Sequence, residues 1–596
     1  MIRTAILVRL LAYALLLFGS WNYNLLGIPD GMFWSRTEPR CGYLGSESNL
    51  VVCRLARAKE VSAAYPLAGA TPEGNFVPYP SQVGLTGIGL AAIQNATGIR
   101  GATLCQTAAA GFALLTALVV AAILAAAQHW LGAPSGDIAC VLAASTPIFL
   151  PFAPSLYWAP WLLLAPFALV WCFYPKAETS VRKAMLFAAV GVAAMAKALC
   201  GYEYITAVIA APVAAAWFHQ HSLQQPWTLR AKWAFGLVSV GLLGFAAAMA
   251  LHVVQQERVL GQDGIAVIRN RAIARTASDP QAEAALAGGS GAMGPSRLAF
   301  AASCFWEYFD QRAVSVAGGF GRWQKDVPLK GICLAALAFA ITAVLAHRRI
   351  PREAVALAGA VVLGFAASVS WQILAVNHMC VHRHLNMIVF TVPLLPLAYL
   401  AIGYALRTVI GPTLGQRLGP VPLGLIAIVM TVNGFTDGIQ RDHESREQSA
   451  AEAAILQRLG EPVPAPHGGL GGAVDRVRLE NAIPDSLLTE YGLLDLHTAR
   501  PSDPTATVIE GWALGGFKTT ARPTTRIAIV QGTAILPCQV LRFRRPDIER
   551  PIGTALPGSG FVAVIPSTSL NPAERLRVFI VSTTDGKQIV ELAVKP

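Results

Sequence analysis

Eleven apolar runs of about 15 to 25 residues, nearly free of charge, dominate what this chain can fold into. They lie at 5–24, 102–127, 136–153, 156–173, 184–199, 204–218, 233–253, 328–346, 353–370, 386–405 and 421–436. A helix of that length covers, or nearly covers, the ~30 Å of a bilayer's hydrocarbon with its backbone bonded internally. Hydrophobic residues make up 54% of the chain and charged residues 13%. With a mean hydropathy of +0.50 over 596 residues, a water-soluble globule is excluded. The expected fold class is a polytopic α-helical membrane protein of about 11 spans.

The short loops set an orientation. With Arg3 and Arg9 on the cytoplasmic side, alternate loops carry Lys176, Arg182 and Lys183, then Arg230 and Lys232, then Arg348, Arg349 and Arg352, then Arg407 and Arg417. Every short basic loop then falls on one side, as the positive-inside rule requires. The amino end is expected in the cytoplasm, and 25–101, 254–327 and everything after about 437 on the outer face. The formal charge of +12 is accounted for by this sorting and carries no inference of nucleic-acid binding. MIRTAILVRLLAYALLLFGSWNYN lacks a small-x-small cleavage site after its apolar stretch, so it reads as an anchoring span and not a removed signal. Arg exceeding Lys and abundant Ala suggest a bacterial source, which makes the inner membrane the expected location.

The organisation expected is a transmembrane domain over 1–437, a linker over 438–498 and a C-terminal extracytoplasmic β-sandwich over 499–596. The last rests on short alternating segments, TATVIEGWAL, TRIAIVQGT, LPCQVLRF, GFVAVIP, RLRVFIVST and KQIVELAV, parted by Pro, Gly and Asp turns. Trp512 alternates like a core residue, although a ring there would also stack on a sugar. Residues 438–460 have the spacing of an exposed helix, and 254–300, rich in Gly, Ala and charge, predict a loop and not a domain. The first outer segment, 25–101, is too long for slack and keeps turn formers and aromatics, among them Trp34, Tyr43, Tyr65 and Tyr79. It reads as a folded working part. Cys41 and Cys53 lie close together in it, and an oxidising outer compartment favours a Cys41–Cys53 disulfide over two buried free thiols.

Polar groups at membrane depth are the natural candidates for chemistry, because a charge near the bilayer centre costs roughly 2.5–3.5 kcal/mol on insertion scales. Asp30, in NLLGIPDGMFW, follows the first span and would be a partly desolvated base, or a turn residue capping its own backbone. In AKALCGYEYITAV, Lys197 and Glu203 lie on different faces of one helix and meet only if the chain breaks at Gly201; Lys197 alone reads as a snorkelling side chain. In NHMCVHRHLN, His378 and His382 share a helical face while His384 does not, which excludes three-histidine metal ligation from one helix. With Arg383 they form a donor cluster suited to a phosphate at the membrane surface, or an interfacial anchor. CFWEYFDQR and GGFGRW bring Glu307, Asp310, Arg312 and Arg322 among aromatics, which suits an interfacial helix and a sugar site alike.

A cytoplasmic amino end, a long first outer loop with an acid after the first span, about eleven spans, polar outer helix tips and an outer β-domain together resemble the GT-C superfamily of integral-membrane glycosyltransferases. The resemblance covers roughly 1–440, with local strings VPYPSQVGLTG, GYEY and HMCVHRH in support. It implies a donor sugar on polyprenyl phosphate and a glycan or lipid acceptor at the outer face, both met in membrane lipid. It further implies that Asp30 takes the acceptor's proton, with Glu38, Glu47 and Glu203 in reserve. Tyr202 would bind substrate, and Lys197, His378, His382 and Arg383 would steady the departing lipid phosphate. No cofactor is expected, a divalent metal being optional in that superfamily. The paired acids of its mannosyltransferase branch are absent; Asp30 alone stands in that place. An O-antigen polymerase or ligase would instead carry its large Arg- and His-rich loop late in the series of spans. A transporter would show inverted repeats and charges at mid-membrane, and a scaffold no site at all.

Overall fold

The computed structural model describes residues 2–26, 48–70, 76–99, 101–276, 297–318, 323–375, 379, 386–410, 424, 428–429 and the C-terminal strands given below. The chain divides into two units, one helical and running to Asn433, the other made mainly of Gly434–Pro596.

In the helical unit, α1 (Ile2–Tyr23) leads to two shorter helices of the first long segment, α2 (Ser48–Ala56) and α3 (Leu85–Thr97). Then come α4 (Gly101–Leu131), α5 (Ala133–Ala144), the single turn α6 (Phe149–Phe152), α7 (Pro160–Phe173), α8 (Ser180–Cys200), α9 (Ile205–Ser222) and α10 (Trp227–Leu260). The series closes with α11 (Gly264–Thr276), α12 (Arg297–Asp310), α13 (Leu329–Leu345), α14 (Arg352–Leu374) and α15 (Leu394–Ile410). Among the described residues, five helices contain stretches long and apolar enough to cross a membrane: Ile6–Tyr23, Thr103–Leu131, Ser180–Cys200, Trp227–Leu260 and Arg352–Leu374. Ala133–Ala144, Leu329–Leu345 and Leu394–Val409 are shorter apolar helices. This is the build of a multi-pass membrane protein. Large apolar side chains stay exposed at helical spacing, Leu7, Leu11 and Leu15 on α1 and Leu334, Leu337, Ile341 and Val344 on α13. Such stripes are stable only against hydrocarbon.

Small residues let the helices approach. A Cβ on Gly244 of α10 would fall on the Gly191 carbonyl of α8, and one on Gly403 of α15 on the Ser135 carbonyl of α5. At the end of the bundle where α4 finishes, a buried acid is fully provided for. Asp137 accepts from the Tyr13 hydroxyl at 2.5 Å and faces Arg9 Nε at 3.6 Å, while Gln128 Nε2 donates to Tyr13 at 2.6 Å. At the same end His219 Nε2 lies 2.8 Å from the Trp171 carbonyl, and its ring stacks on Tyr174. A buried acid supplied in the way Asp137 is serves packing, whereas His219 keeps an unbonded Nδ1 among the described residues.

Part of 254–300, expected as a loop, is helical. α10 runs on to Leu260, and α11 starts where the Asp263 carboxylate accepts the Ala266 N–H at 2.9 Å, a side-chain cap that Gly/Ala-rich composition conceals. Beyond α12, β3 (Arg312–Gly318) and β4 (Trp323–Pro328) form an antiparallel hairpin. Asp310 and Lys330 pair at 2.5 Å, both more than half exposed, a contact of little energy. Arg322 lies outside the described residues. In the first segment β1 (Ala68–Ala70) and β2 (Phe76–Pro78) pair as two short strands.

The second unit holds two sheets, of order β13-β5-β6-β10-β9 and β12-β11-β7-β8. Their strands are β5 (Leu470–Glu480), β6 (Ala506–Gly515), β7 (Thr525–Gln531), β8 (Ala534–Ile535), β9 (Gln539–Phe543), β10 (Gly560–Pro566), β11 (Leu576–Ser582), β12 (Ile589–Glu591) and β13 (Ala593–Val594). Each of the six alternating segments contributes strand. β5 lies within 438–498, a stretch expected as linker, and pairs antiparallel with β6 and parallel with the final strand β13. In the second sheet Val578 and Ile529 oppose each other and are both buried, the cross-strand contact that period-two alternation prepares.

Gly244→Val should force α8 and α10 apart. The expected loss is about 1–3 kcal/mol, the usual range for overpacking, read as a lower melting temperature of the purified protein in detergent, with Gly244→Ala intermediate.

Candidate active site

The break the sequence points to occurs at Gly201. α8 ends at Cys200, α9 starts at Ile205, and the turn between holds Gly201, Tyr202, Glu203 and Tyr204. A helix end leaves carbonyls without partners, which is costly at membrane depth. Lys197, one turn back, meets this need: its ammonium donates to the Gly201 carbonyl at 2.6 Å and is fully buried. It does not snorkel. A cation at a helix C-terminus is also where the helix dipole favours one.

Glu203 is 2% exposed and accepts from the Tyr157 hydroxyl, 3.2 Å from Oε1. Tyr157 comes from the loop between α6 and α7, and its hydroxyl lies 3.2 Å from that of Tyr79 in the segment before α3. Gln82, from that segment, reaches the same place: a Cβ on Gly201 would stand 2.5 Å from both Gln82 Oε1 and Glu203 Oε2. Gly201 is thus required for space. Rings enclose the group, with Trp158 stacked on Tyr204 at 5.4 Å and Tyr204 edge-on to Trp371 of α14 at 5.7 Å. Tyr204 (φ 63°) and Ala159 (φ 44°), the residues preceding α9 and α7, both adopt the left-handed region though neither is glycine. Backbone strain of this kind costs about 1–3 kcal/mol and concentrates at functional sites.

α10 supplies the third side. The Tyr202 hydroxyl lies 2.8 Å from His252 Nδ1, and His252 Nε2 lies 3.0 Å from Gln256 Nε2. An amide nitrogen only donates, so with Gln256 in this orientation His252 accepts at Nε2 and carries its proton on Nδ1, toward Tyr202. Gln255 Nε2 donates to the carbonyls of Ala64 (2.7 Å) and Val83 (3.0 Å), tying α10 to the first segment. The 62–65 turn is in turn held by Arg54, fully buried, which donates to the carbonyls of Tyr65 (3.0 Å), Ser62 (3.0 Å) and Ala63 (3.3 Å). Burial pulls the Arg54 guanidinium below its usual range, Tyr65 acting the other way, and burial raises the Tyr65 phenol.

Of the residues singled out from sequence, Lys197, Tyr202 and Glu203 come together at this turn. Asp30, Glu38, Cys41, His378, His382 and Arg383 lie outside the described residues. Cys53 is disulfide-bonded. Among the described residues no three His, Cys, Asp or Glu side chains gather closely enough to hold a metal ion. Sequence reasoning named Tyr79 only as an aromatic of the first outer segment and missed Gln82, Tyr157, His252, Gln255 and Gln256. The last three carried a signal: in ALHVVQQ they recur at i, i+3 and i+4, a polar face at the end of an apolar run. No family model, curated protein or solved structure matches the chain.

Gly201→Ala places a methyl where two buried side-chain oxygens stand. The variant should lose about 1–3 kcal/mol of stability, read by thermal unfolding, and less of it in a Gln82→Ala background that removes one of the two oxygens.

Proposed function

We propose that this protein is a membrane glycosyltransferase of the GT-C kind, moving a sugar from a polyprenyl-phosphate donor to a glycan or lipid acceptor at the outer face of a bacterial inner membrane. The observation that carries the reading is Glu203, a carboxylate held by Tyr157 in a strained, aromatic-walled turn, beside the Lys197 ammonium that caps α8. In this reading the acceptor hydroxyl attacks the anomeric carbon as a carboxylate takes its proton, and the bond from that carbon to the phosphate oxygen breaks. Cationic groups receive the phosphate, Lys197 at the turn and His378, His382 and Arg383 from the segment before α15. The rings of Tyr157, Trp158, Tyr204 and Trp371 offer faces on which a sugar packs. Asp30 remains the acid in the superfamily's usual place after the first span, with Glu38 behind it; Glu203 is the acid that the described geometry favours. About eleven spans, an amino end in the cytoplasm and two outer C-terminal sheets packed as a sandwich complete the architecture proposed.

A positioned general base contributes about 10²–10⁴-fold, so Glu203→Gln should accumulate normally in the membrane yet lose transfer almost completely. Mass spectrometry of lipid-linked intermediates and envelope glycans should show the donor accumulating and one sugar missing. If Asp30→Asn has that effect and Glu203→Gln does not, the base is Asp30. A change in polymer length instead of a missing sugar would indicate the polymerase or ligase, and no change with either variant a scaffold or transporter.

The orientation has its own test. Alkaline phosphatase fused after Pro596 should be active and green fluorescent protein there dark; the reverse would put the site on the wrong face for a polyprenyl-linked donor.

A further inference from the structure

Three glutamines at the Gly201 end of the bundle are buried without completing their hydrogen bonds. Gln82 is 1% exposed, Gln255 5% and Gln256 0%. Among the described residues neither Nε2 nor Oε1 of Gln82 has a partner, and Oε1 of Gln255 and of Gln256 has none. Buried polar atoms in this state are uncommon and call for an explanation. The three are neighbours through the contacts already described. Gln82 Oε1 stands over Gly201, Tyr202 next in the chain bonds His252, and His252 bonds Gln256. Gln255 bonds the carbonyl of Val83, the residue after Gln82.

The sum of unmet groups describes a ligand. There are three acceptor oxygens and one amide nitrogen with two N–H groups, so the complement brings O–H donors to the oxygens and an acceptor oxygen to the nitrogen. Gln82 offers one oxygen and one nitrogen whichever way its amide is turned, and Gln255 is fixed by giving Nε2 to two carbonyls. If the Gln256 amide is rotated, it presents a nitrogen, which a hydroxyl also satisfies. A carboxylate or sulfate on the ligand would set its oxygens against the three unmet amide oxygens, acceptor against acceptor, an arrangement that repels it.

We propose that Gln82, Gln255 and Gln256 bind the hydroxyls of an uncharged sugar, so that the transferred residue is a neutral hexose or pentose and not an acidic one. This rests on the glycosyl-transfer reading for the identity of the carrier, but it is tested by binding and not by turnover.

The full-length protein in nanodiscs is to be titrated with undecaprenyl phosphate, bare or carrying glucose, galactose, mannose, arabinose or glucuronic acid, and followed by native mass spectrometry and thermal unfolding. At least one neutral-sugar lipid should bind about tenfold or more tightly than the bare lipid, and the glucuronyl lipid should show no such gain. Gln82→Met and the pair Gln255→Met with Gln256→Met should each reduce that gain about five- to tenfold; the unliganded melting temperature should hold or rise for Gln82→Met, where an apolar chain of like volume replaces an unmet amide, and fall for the pair, which gives up the bonds to Ala64, Val83 and His252. The wild-type protein alone decides the first point: equal binding of bare and neutral-sugar lipids, or equal gain from glucuronyl lipid, overturns the proposal. Variants that keep the full gain, or a Gln82→Met protein that melts well below wild type without ligand, overturn it by showing that the amides serve packing. Sugar binding that depends on the amides, with neither Glu203→Gln nor Asp30→Asn changing envelope glycans, would retain the sugar site and remove the transferase reading. Loss of transfer in Glu203→Gln with indifferent amides would do the reverse.

Discussion

The described site hangs on one hydrogen bond, from the Lys197 ammonium to the Gly201 carbonyl at 2.6 Å. A membrane helix cannot simply stop, because the carbonyls of its last turn have no water to turn to. Lys197 supplies a donor from inside the protein and places its charge where the α8 dipole is negative. α8 can then end at Cys200 and α9 begin at Ile205, leaving four residues to form a turn. Burying an ammonium is expensive, and strong local partners are what keep it there. The turn in question is the one that carries Tyr202 and Glu203.

Buried polar groups in the helical unit are met to different degrees. Around Asp137 a tyrosine, an arginine and a glutamine through that tyrosine satisfy a single carboxylate. At the Gly201 end, Gln82 has neither amide atom bonded among the described residues, and Gln255 and Gln256 each leave an oxygen unmet there. Low dielectric makes both arrangements consequential, since it strengthens bonds that form and penalises groups that find none. A network whose members are all supplied locks helices together. One with vacancies on several elements is suited to a hydroxylated ligand that completes it. The strained residues Tyr204 and Ala159 lie at the second end.

Rigid supports surround that second group. Arg54 pins the 62–65 turn through three carbonyls, Gln255 bonds the same turn at Ala64, and stacked rings from the α6–α7 loop, the Gly201 turn and α14 fill the remaining space. Aromatic rings and helix ends hold a side chain more closely than exposed loops do, so Glu203 is positioned by several elements at once.

Much of the helical unit was legible along the chain, because bilayer thickness imposes a run length and a run length is a local property. The α8–α9 break was equally legible, since Gly201 between a lysine and a glutamate leaves few alternatives for a helix. Segment alternation likewise announced the later strands, whereas β5 escaped notice because GGAVDRVRLE mixes glycine and charge and becomes a strand by pairing with β6 and β13. What only the tertiary structure decided is who meets whom. Tyr157 reaches Glu203 across 46 positions, and Gln255 reaches Val83 across 172. Hydropathy and spacing describe each helix against its own axis; which faces of different helices converge depends on close approaches such as Gly191 to Gly244, and those are settled by packing in three dimensions.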